Sequence, residues 1–373
     1  MEVNEYITRM GKIYSTILDY VSSNENMPED FNIFISKMKC YQFEENPDEF
    51  RSFLHVICKI FSHHKRNDIL AEKIFKIIFH YSDKIKQTFS NLDIFRIFKN
   101  NKLILLYLFE KAILSINEEI IQLILEKYGP KDSNFFYPEI KPFLTAGKIK
   151  LLYQPGLTEE EIIKKRKEGV NDSYVCQLIR NDSIDEFKEF FDKQKSIEFN
   201  FTIPNSIFET NPFLIKNEPS YFEYAAFYGS TKIFNYLHEE EGNVFFPSLW
   251  NYAINGHNIQ LIELLKEKQI ESYDISYNDC FIQSIKCHHN DIAEAFKITA
   301  NGNRKETKEK QFFLCYYNFH FIPNDFNDED YEQLLDSACQ YDYTSIVKII
   351  LKSGKIQLRE LLKNKSIHII FEK

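Results

Sequence analysis

Hydrophobic residues recur along this chain at alternating steps of three and four, the spacing that places them on one face of an α-helix. The clearest stripe consists of Tyr6, Ile7, Met10, Ile13, Tyr14, Ile17, Leu18 and Val21. The sequence has no alternating strand pattern of useful length, and prolines fall between the helical stretches, where they break no helical hydrogen bond, at Pro28, Pro47, Pro130 and Pro138. The pattern predicts an all-α fold.

Four segments of the second half share a hairpin pattern, in which a helix ends, the chain turns, and a second helix follows with paired apolar residues. Their turn positions are Gly229, Gly256, His288 and Asp342, which lie 27, 32 and 54 residues apart. The long last interval predicts an insertion near 300–327. Residues 173–195 fit the same pattern, with Asp182 at the turn.

Two stretches carry a family resemblance. Asn255-Gly-His followed by Leu261-Ile-Glu-Leu-Leu resembles the core of an ankyrin repeat, whose period is about 33 residues. The stretch Glu159–Phe187 resembles the central signature of an uncharacterised protist family, the trichomonad ankyrin-like proteins. In that family an N-terminal helical region precedes divergent ankyrin repeats. The resemblance covers essentially the whole chain and implies protein binding, with no known activity.

The predicted architecture is therefore a helical-hairpin solenoid with degenerate ankyrin repeats. Residues 1–155 form an N-terminal helical region, in which 50–81 and 103–125 are candidate hairpins. Residues 156–373 form the divergent repeat array, including the insertion near 300–327. In such arrays each hairpin has an apolar face that only a neighbouring hairpin covers.

Composition narrows the function classes. With 46 basic and 55 acidic residues the net charge is −9, which argues against a nucleic-acid binder. The N-terminus is acidic where a signal peptide is basic, and the apolar runs are shorter than the roughly 20 residues that span a bilayer. The seven scattered cysteines are typical of free thiols in a reducing compartment. We therefore expect a cytoplasmic protein without a membrane span.

Motifs for catalysis or cofactor binding are missing from the sequence. It contains no phosphate loop, dinucleotide fingerprint, nucleophile elbow or His-Glu-x-x-His pair, so we predict a non-enzymatic protein without a cofactor. Cys280 and Cys287-His288-His289 have metal-ligand chemistry, but cysteines seven apart do not match the short Cys-x-x-Cys spacing of zinc sites. We interpret the two histidines as turn residues and predict no metal.

Ankyrin-type arrays bind proteins through residues just before each turn, on the concave face. At these positions the chain has Phe227, Tyr228, Ile254, Asn255, Lys286, Cys287, Gln340 and Tyr341. We predict that this set, the pre-turn residues, binds a protein partner, with the aromatic members as anchors. The alternative is that Phe227 and Tyr228 pack against the next repeat.

Two other function classes stay open. The first is an enzyme or enzyme subunit with a pocket at the junction of the two halves, which a cleft with converging ionisable groups in the 140–220 region would favour. The second is a membrane-surface or nucleic-acid adaptor that uses the basic run 164–167. That adaptor would show a steep dependence of binding on salt.

Overall fold

The chain is all-helical throughout the part that its structure describes, as the hydrophobic pattern predicts. This computed structural model describes residues 2–23, 27–64, 68–145, 152, 156–193, 202–240, 242, 244–268, 270, 277–299, 306–327 and 330–354. Within these ranges, β-type pairing is limited to an isolated antiparallel bridge between Thr202 and Ser220.

The first helices of the chain are α1 Val3–Ser22, α2 Pro28–Tyr41, α3 Pro47–His63, α4 Asp68–His80, α5 Ser82–Thr88, α6 Asn91–Phe98, α7 Lys102–Glu110, α8 Glu118–Asp132 and α9 Tyr137–Ile140. The later helices are α10 Glu159–Arg166, α11 Tyr174–Arg180, α12 Ile184–Lys193, α13 Pro212–Asn217, α14 Tyr221–Tyr228, α15 Thr231–Glu240, α16 Leu249–Asn255, α17 Ile259–Glu267, α18 Tyr277–Lys286, α19 Asn290–Thr299, α20 Glu306–Cys315, α21 Tyr331–Gln340 and α22 Thr344–Ser353. Short 3-10 turns occupy Phe43–Glu45, Ser133–Phe136 and Lys141–Phe143.

These helices form two compact units. The first unit contains 1–61, 66–80 and 293–373, and the second contains 62–65 and 81–292. The units are thus composed differently from the predicted segments 1–155 and 156–373. The boundary near residue 155 stays a prediction of where the repeat pattern changes.

In the first unit, the beginning of the chain packs against its last described helices. Asn4 forms two hydrogen bonds with the backbone of Phe326, each 3.0 Å long. Nearby, the Tyr6 hydroxyl bonds to Ser52 Oγ at 2.8 Å. The stripe of α1 supplies much of this core, because it buries Tyr6, Ile7, Met10, Ile13, Tyr14, Ile17 and Val21.

A single turn geometry recurs along the chain. At each occurrence one residue has a positive φ, and the N–H of the next residue bonds to the carbonyl five positions before it, which is the Schellman arrangement at a helix end. The positive-φ residues are Ala112, Asp182, Gly229, His257, His288, Tyr317 and Asp342. The turns predicted at Asp182, Gly229, His288 and Asp342 therefore fall where the sequence places them.

The second predicted turn is displaced by one residue. Gly256 has φ −81, and the left-handed conformation falls on His257. The backbone of Phe227 approaches residue 256 so closely that a Cβ there would lie 1.9 Å from the Phe227 carbonyl oxygen. Glycine is required here because a neighbouring hairpin leaves no room for a side chain.

Hairpins of the second unit pack side by side. Helix α11 packs against α14, α14 against α16, and α16 against α18. Hydrogen bonds also connect neighbouring hairpins. The Asp182 carboxylate accepts from the N–H of Lys232 at 3.0 Å and of Ile233 at 2.9 Å. Further along, Asn258 donates to the Ala226 carbonyl at 3.1 Å.

The predicted insertion near 300–327 contains a helix with the same ending. Helix α20 is followed by a positive-φ residue at Tyr317, and the N–H of Asn318 bonds to the Phe313 carbonyl at 3.1 Å. This segment therefore has the first helix and the turn of a hairpin. Residues 301–305, at the start of the segment, lie outside the described residues.

Candidate functional site

Six of the eight pre-turn residues lie in the second unit. Phe227 and Ile254 are buried there, and so are Asn255 and Cys287. Tyr228 and Lys286, in contrast, are half-buried and keep accessible surface.

Phe227 and Tyr228 pack within their own unit. The Phe227 ring stacks on Phe213 with centroids 6.2 Å apart, and the Tyr228 ring lies 4.6 Å from that of Tyr224. The Phe227 backbone contacts Gly256 of the next hairpin. For Phe227, these contacts match the alternative interpretation of packing against the next repeat.

Asn255 and Cys287 contact each other directly. The Cys287 thiol donates a hydrogen bond to Asn255 Oδ1 at 3.2 Å, and Asn255 Nδ2 donates to the Asn251 carbonyl at 2.7 Å. Burial raises the pKa of the Cys287 thiol to about 12. The sulfur is therefore protonated at neutral pH and is a poor nucleophile.

The remaining two pre-turn residues belong to the first unit. Gln340 is exposed and Tyr341 is half-buried. The Tyr317 hydroxyl donates a hydrogen bond to the Tyr341 carbonyl. Of the predicted set, therefore, Tyr228, Lys286, Gln340 and Tyr341 have surface that a partner can contact.

A cavity of about 220 Å³ lies in the second unit. Its walls come from the end of α8, the 203–209 loop, the end of α13 and Tyr224. The ionisable groups on these walls are Lys131, Asp132, Glu209, Glu218 and Tyr224. A cleft of this kind in the 140–220 region is the feature that we expected of an enzyme. No sequence motif marks Lys131 and Asp132 as members of this site.

Glu209 is fixed in the wall of this cavity. Its carboxylate accepts hydrogen bonds from the N–H groups of Asn171, Thr210 and Asn211, at 3.1, 2.9 and 2.7 Å. Three backbone donors hold the carboxylate in one orientation and stabilise its charge. Glu209 thereby ties the 169–173 segment to the loop that precedes α13.

Two further ionisable groups of the cavity contact cationic side chains. Asp132 pairs with Lys102 at 3.4 Å, and burial lowers the pKa of the Lys102 ammonium. The Tyr224 hydroxyl accepts a hydrogen bond from Arg180 at 3.0 Å, and burial raises the pKa of this phenol. The cavity thus combines fixed charges of both signs with the apolar side chains of Ile203, Leu214 and Ile215.

The signature stretch Glu159–Phe187 contacts several parts of the second unit. Arg166 is buried and forms a bidentate ion pair with Glu139, in which both N–O distances are 2.5 Å. Lys165 pairs with Asp172 at 2.7 Å. Two members of the basic run 164–167 are therefore engaged inside the unit.

Gly169 shows why this stretch has a specific sequence. Its φ is +65, and a Cβ there would lie 2.3 Å from Leu103 Cδ1. Its carbonyl accepts hydrogen bonds from both the N–H and the hydroxyl of Thr210, at 3.1 and 2.7 Å. These contacts give Gly169 a structural role within the signature stretch.

The cysteine and histidine cluster adopts a different arrangement from a metal centre. Over the described ranges, no group of three or more His, Cys, Asp or Glu side chains is placed to hold a metal ion. The His289 ring instead contacts two other imidazoles, with its centroid 4.6 Å from that of His64 and 4.2 Å from that of His257. No sequence signal relates His64 to this cluster, since it lies more than 200 residues before His289.

None of the described helices combines the length and the apolar character that a membrane span needs. In comparisons with known proteins, no family model, curated protein or solved structure matches this chain.

Proposed function

We propose that this chain is a non-catalytic, cytoplasmic scaffold that binds a protein partner through a solenoid of degenerate ankyrin repeats. The observation that carries the proposal is the recurrence of one turn geometry from Asp182 to Asp342. Repeat proteins use such stacked hairpins to build extended binding surfaces. The resemblance of Glu159–Phe187 to the trichomonad ankyrin-like family supports the same function.

The contacts between hairpins add support. Asp182 caps the start of the next hairpin's second helix, and His257 bonds to Asp291 at the corresponding place two hairpins later, at 3.1 Å. Equivalent turn positions thus contact the start of the second helix in the next hairpin, as expected when each repeat contacts its neighbours.

The proposed contact surface comprises those pre-turn residues that remain accessible. In the second unit these are Tyr228 and Lys286, one aromatic and one basic. Tyrosine is enriched among the residues that dominate binding energy at interfaces, because its ring buries a large area and its hydroxyl forms hydrogen bonds.

An affinity capture from lysate of the source cell tests this function. The Tyr228→Ala/Lys286→Ala variant is compared with wild type and with a control, Tyr174→Ala/Lys216→Ala, whose residues are exposed but lie outside the pre-turn positions. We expect a partner that wild type and control retain and the pre-turn variant loses, while circular dichroism shows all three folded. Equal retention by all three would contradict the proposed surface.

The cavity near Glu209 favours a second candidate function, an enzyme or enzyme subunit that binds a small molecule. Its volume of about 220 Å³ suits a compact polar ligand, and Asp132 and Glu218 offer carboxylates at its wall. The test is a thermal-shift screen of small metabolites against wild type and Glu218→Gln. A ligand that stabilises wild type and not the variant would support this candidate, whereas no stabilisation by any compound would count against it.

A further inference from the structure

We propose that His64, His257 and His289 form an acid-sensitive clasp, which holds two neighbouring hairpin turns together at neutral pH and releases them under mildly acidic conditions. Asn255 and Cys287, two of the pre-turn residues, lie next to the histidines of the clasp. This conformational response does not require that the chain bind a protein.

The geometry brings three imidazole rings into one cluster, which we call the column. His289 is the middle ring, because it contacts both of the others: its centroid lies 4.6 Å from that of His64 and 4.2 Å from that of His257, and 1% of its surface is exposed. His257 belongs to the turn between α16 and α17, and His289 follows the turn residue between α18 and α19. The column therefore joins two consecutive hairpins.

Each outer ring is held by a hydrogen bond. His64 Nδ1 lies 3.2 Å from the Cys287 carbonyl oxygen and donates to it, and His257 Nε2 lies 3.1 Å from Asp291 Oδ2. Among the described residues, neither ring nitrogen of His289 has a hydrogen-bond partner of good geometry. The Asn255 carbonyl is the acceptor that lies near this ring. A buried imidazole in this setting is stable only while it is neutral.

Most of the groups around His289 act against its protonation, and the Asn255 carbonyl, whose effect is the smallest, is the exception. Burial, followed by the charges that His64, His257 and His288 would carry, holds the pKa of His289 well below its usual value of 6.5. Asp291 is the acidic group in contact with the column, and it bonds to the outer ring of His257 rather than to His289. Protonated rings at these spacings would repel each other at short range in a poorly solvated environment.

Opening the clasp relieves this penalty. In an open state His289 reaches water and takes up a proton at its ordinary pKa, so a fall in pH shifts the equilibrium toward opening. For one proton taken up, the opening constant rises about fivefold from pH 6.5 to 5.5 and approaches tenfold per pH unit at lower pH. Opening would also expose the Cys287 thiol, which is fully buried in the closed state.

Thiol labelling followed by peptide mass mapping measures this opening. The readout is the labelling rate of Cys287 divided by that of Cys40, an exposed cysteine of the same molecule that corrects for the pH dependence of the reagent. His289→Phe keeps a ring of similar shape that does not titrate. His320→Phe is the matched control, because His320 is exposed and pairs with Glu294 in the first unit.

We expect the ratio to rise about fivefold between pH 6.5 and 5.5 in wild type and in His320→Phe, and to stay flat in His289→Phe. A flat ratio in wild type, or an equal rise in His289→Phe, would overturn the clasp. A parallel rise at Cys176, a buried cysteine of the same unit, would show general unfolding and also overturn it. If His289→Phe does not fold, His257→Phe takes its place, with a reduced rise as the expected result.

Discussion

The Cys287 thiol donates a hydrogen bond to Asn255 Oδ1 at 3.2 Å, across two hairpins and 32 residues of sequence. Asn255 ends the first helix of one hairpin, and Cys287 directly follows the first helix of the next. Positions that the sequence pattern treats as equivalent thus meet in space. Both residues are buried inside the unit, however, whereas the pre-turn residues Tyr228 and Lys286 keep accessible surface.

The Gly256→Ala substitution tests the close approach of neighbouring hairpins. The added Cβ would lie 1.9 Å from the Phe227 carbonyl oxygen, so backbone must shift. We expect a loss of about 1–3 kcal/mol in unfolding free energy, measured by urea denaturation. Gly11→Ala is the control, because its nearest neighbour, the Phe319 carbonyl oxygen, lies 3.7 Å from the added carbon. Equal effects of the two substitutions would refute the packing argument.

Removing the Asp182 carboxylate tests the bonds between hairpins. Asp182→Ala leaves the N–H groups of Lys232 and Ile233 without their acceptor at the start of α15. A lost helix cap costs about 1 kcal/mol, and we expect a destabilisation of that size by chemical denaturation. Asp192→Ala, an exposed aspartate at the end of α12, should change stability by less than about 0.5 kcal/mol. An Asp182→Ala protein as stable as this control would contradict a stabilising bond between the hairpins.

Lys73 is a buried lysine that closes the end of α1. Its ammonium donates to the carbonyls of Tyr20 and Ser23 at 2.8 and 2.7 Å, and to Ser23 Oγ at 2.7 Å. Lys73→Met would leave these acceptors unsatisfied, at about 1–3 kcal/mol, which a thermal or urea melt detects. Lys37→Met, at an exposed site of α2, serves as the comparison and should be nearly neutral. A stable Lys73→Met protein would show that the buried ammonium contributes little.

The stability of the protein should fall as the solution becomes mildly acidic. Burial lowers the folded-state pKa of His55 and His289 below 6.5. The unfolded chain therefore binds more protons, so this stability is present above about pH 6.5 and is lost as pH falls below it. Each such histidine removes at most about 1.4 kcal/mol per pH unit. Urea titrations from pH 7.5 to 5.5 measure the slope, and a stability that rises on acidification would refute it.

Much of the fold follows from local sequence signals. The turns at Gly229, His288 and Asp342 lie where the repeat pattern predicts them, because each ends a helix with a regular apolar stripe. The shift from Gly256 to His257 has a different cause. Glycine is required there by the Phe227 carbonyl, and nothing local to residue 256 reveals that contact.

Long-range contacts lie beyond what the sequence pattern predicts. The bonds between Asn4 and Phe326 join residues 322 positions apart, and no periodic signal relates them. The same holds for His64 beside His289, and for Lys131 in the wall of the cavity. Periodicity identifies which face of a helix is buried, whereas the neighbour that buries it depends on the fold of the whole unit.

Site-specific photo-crosslinking tests the scaffold function most directly. A benzophenone amino acid replaces Tyr228 or Lys286 in one set of proteins, and Tyr174 or Phe143 in the control set, all four being accessible positions of the second unit. The scaffold account predicts that positions 228 and 286 crosslink to the same partner in cells of the source organism, and that 174 and 143 do not. Crosslinks of equal yield from all four positions, or from the control positions alone, would contradict it.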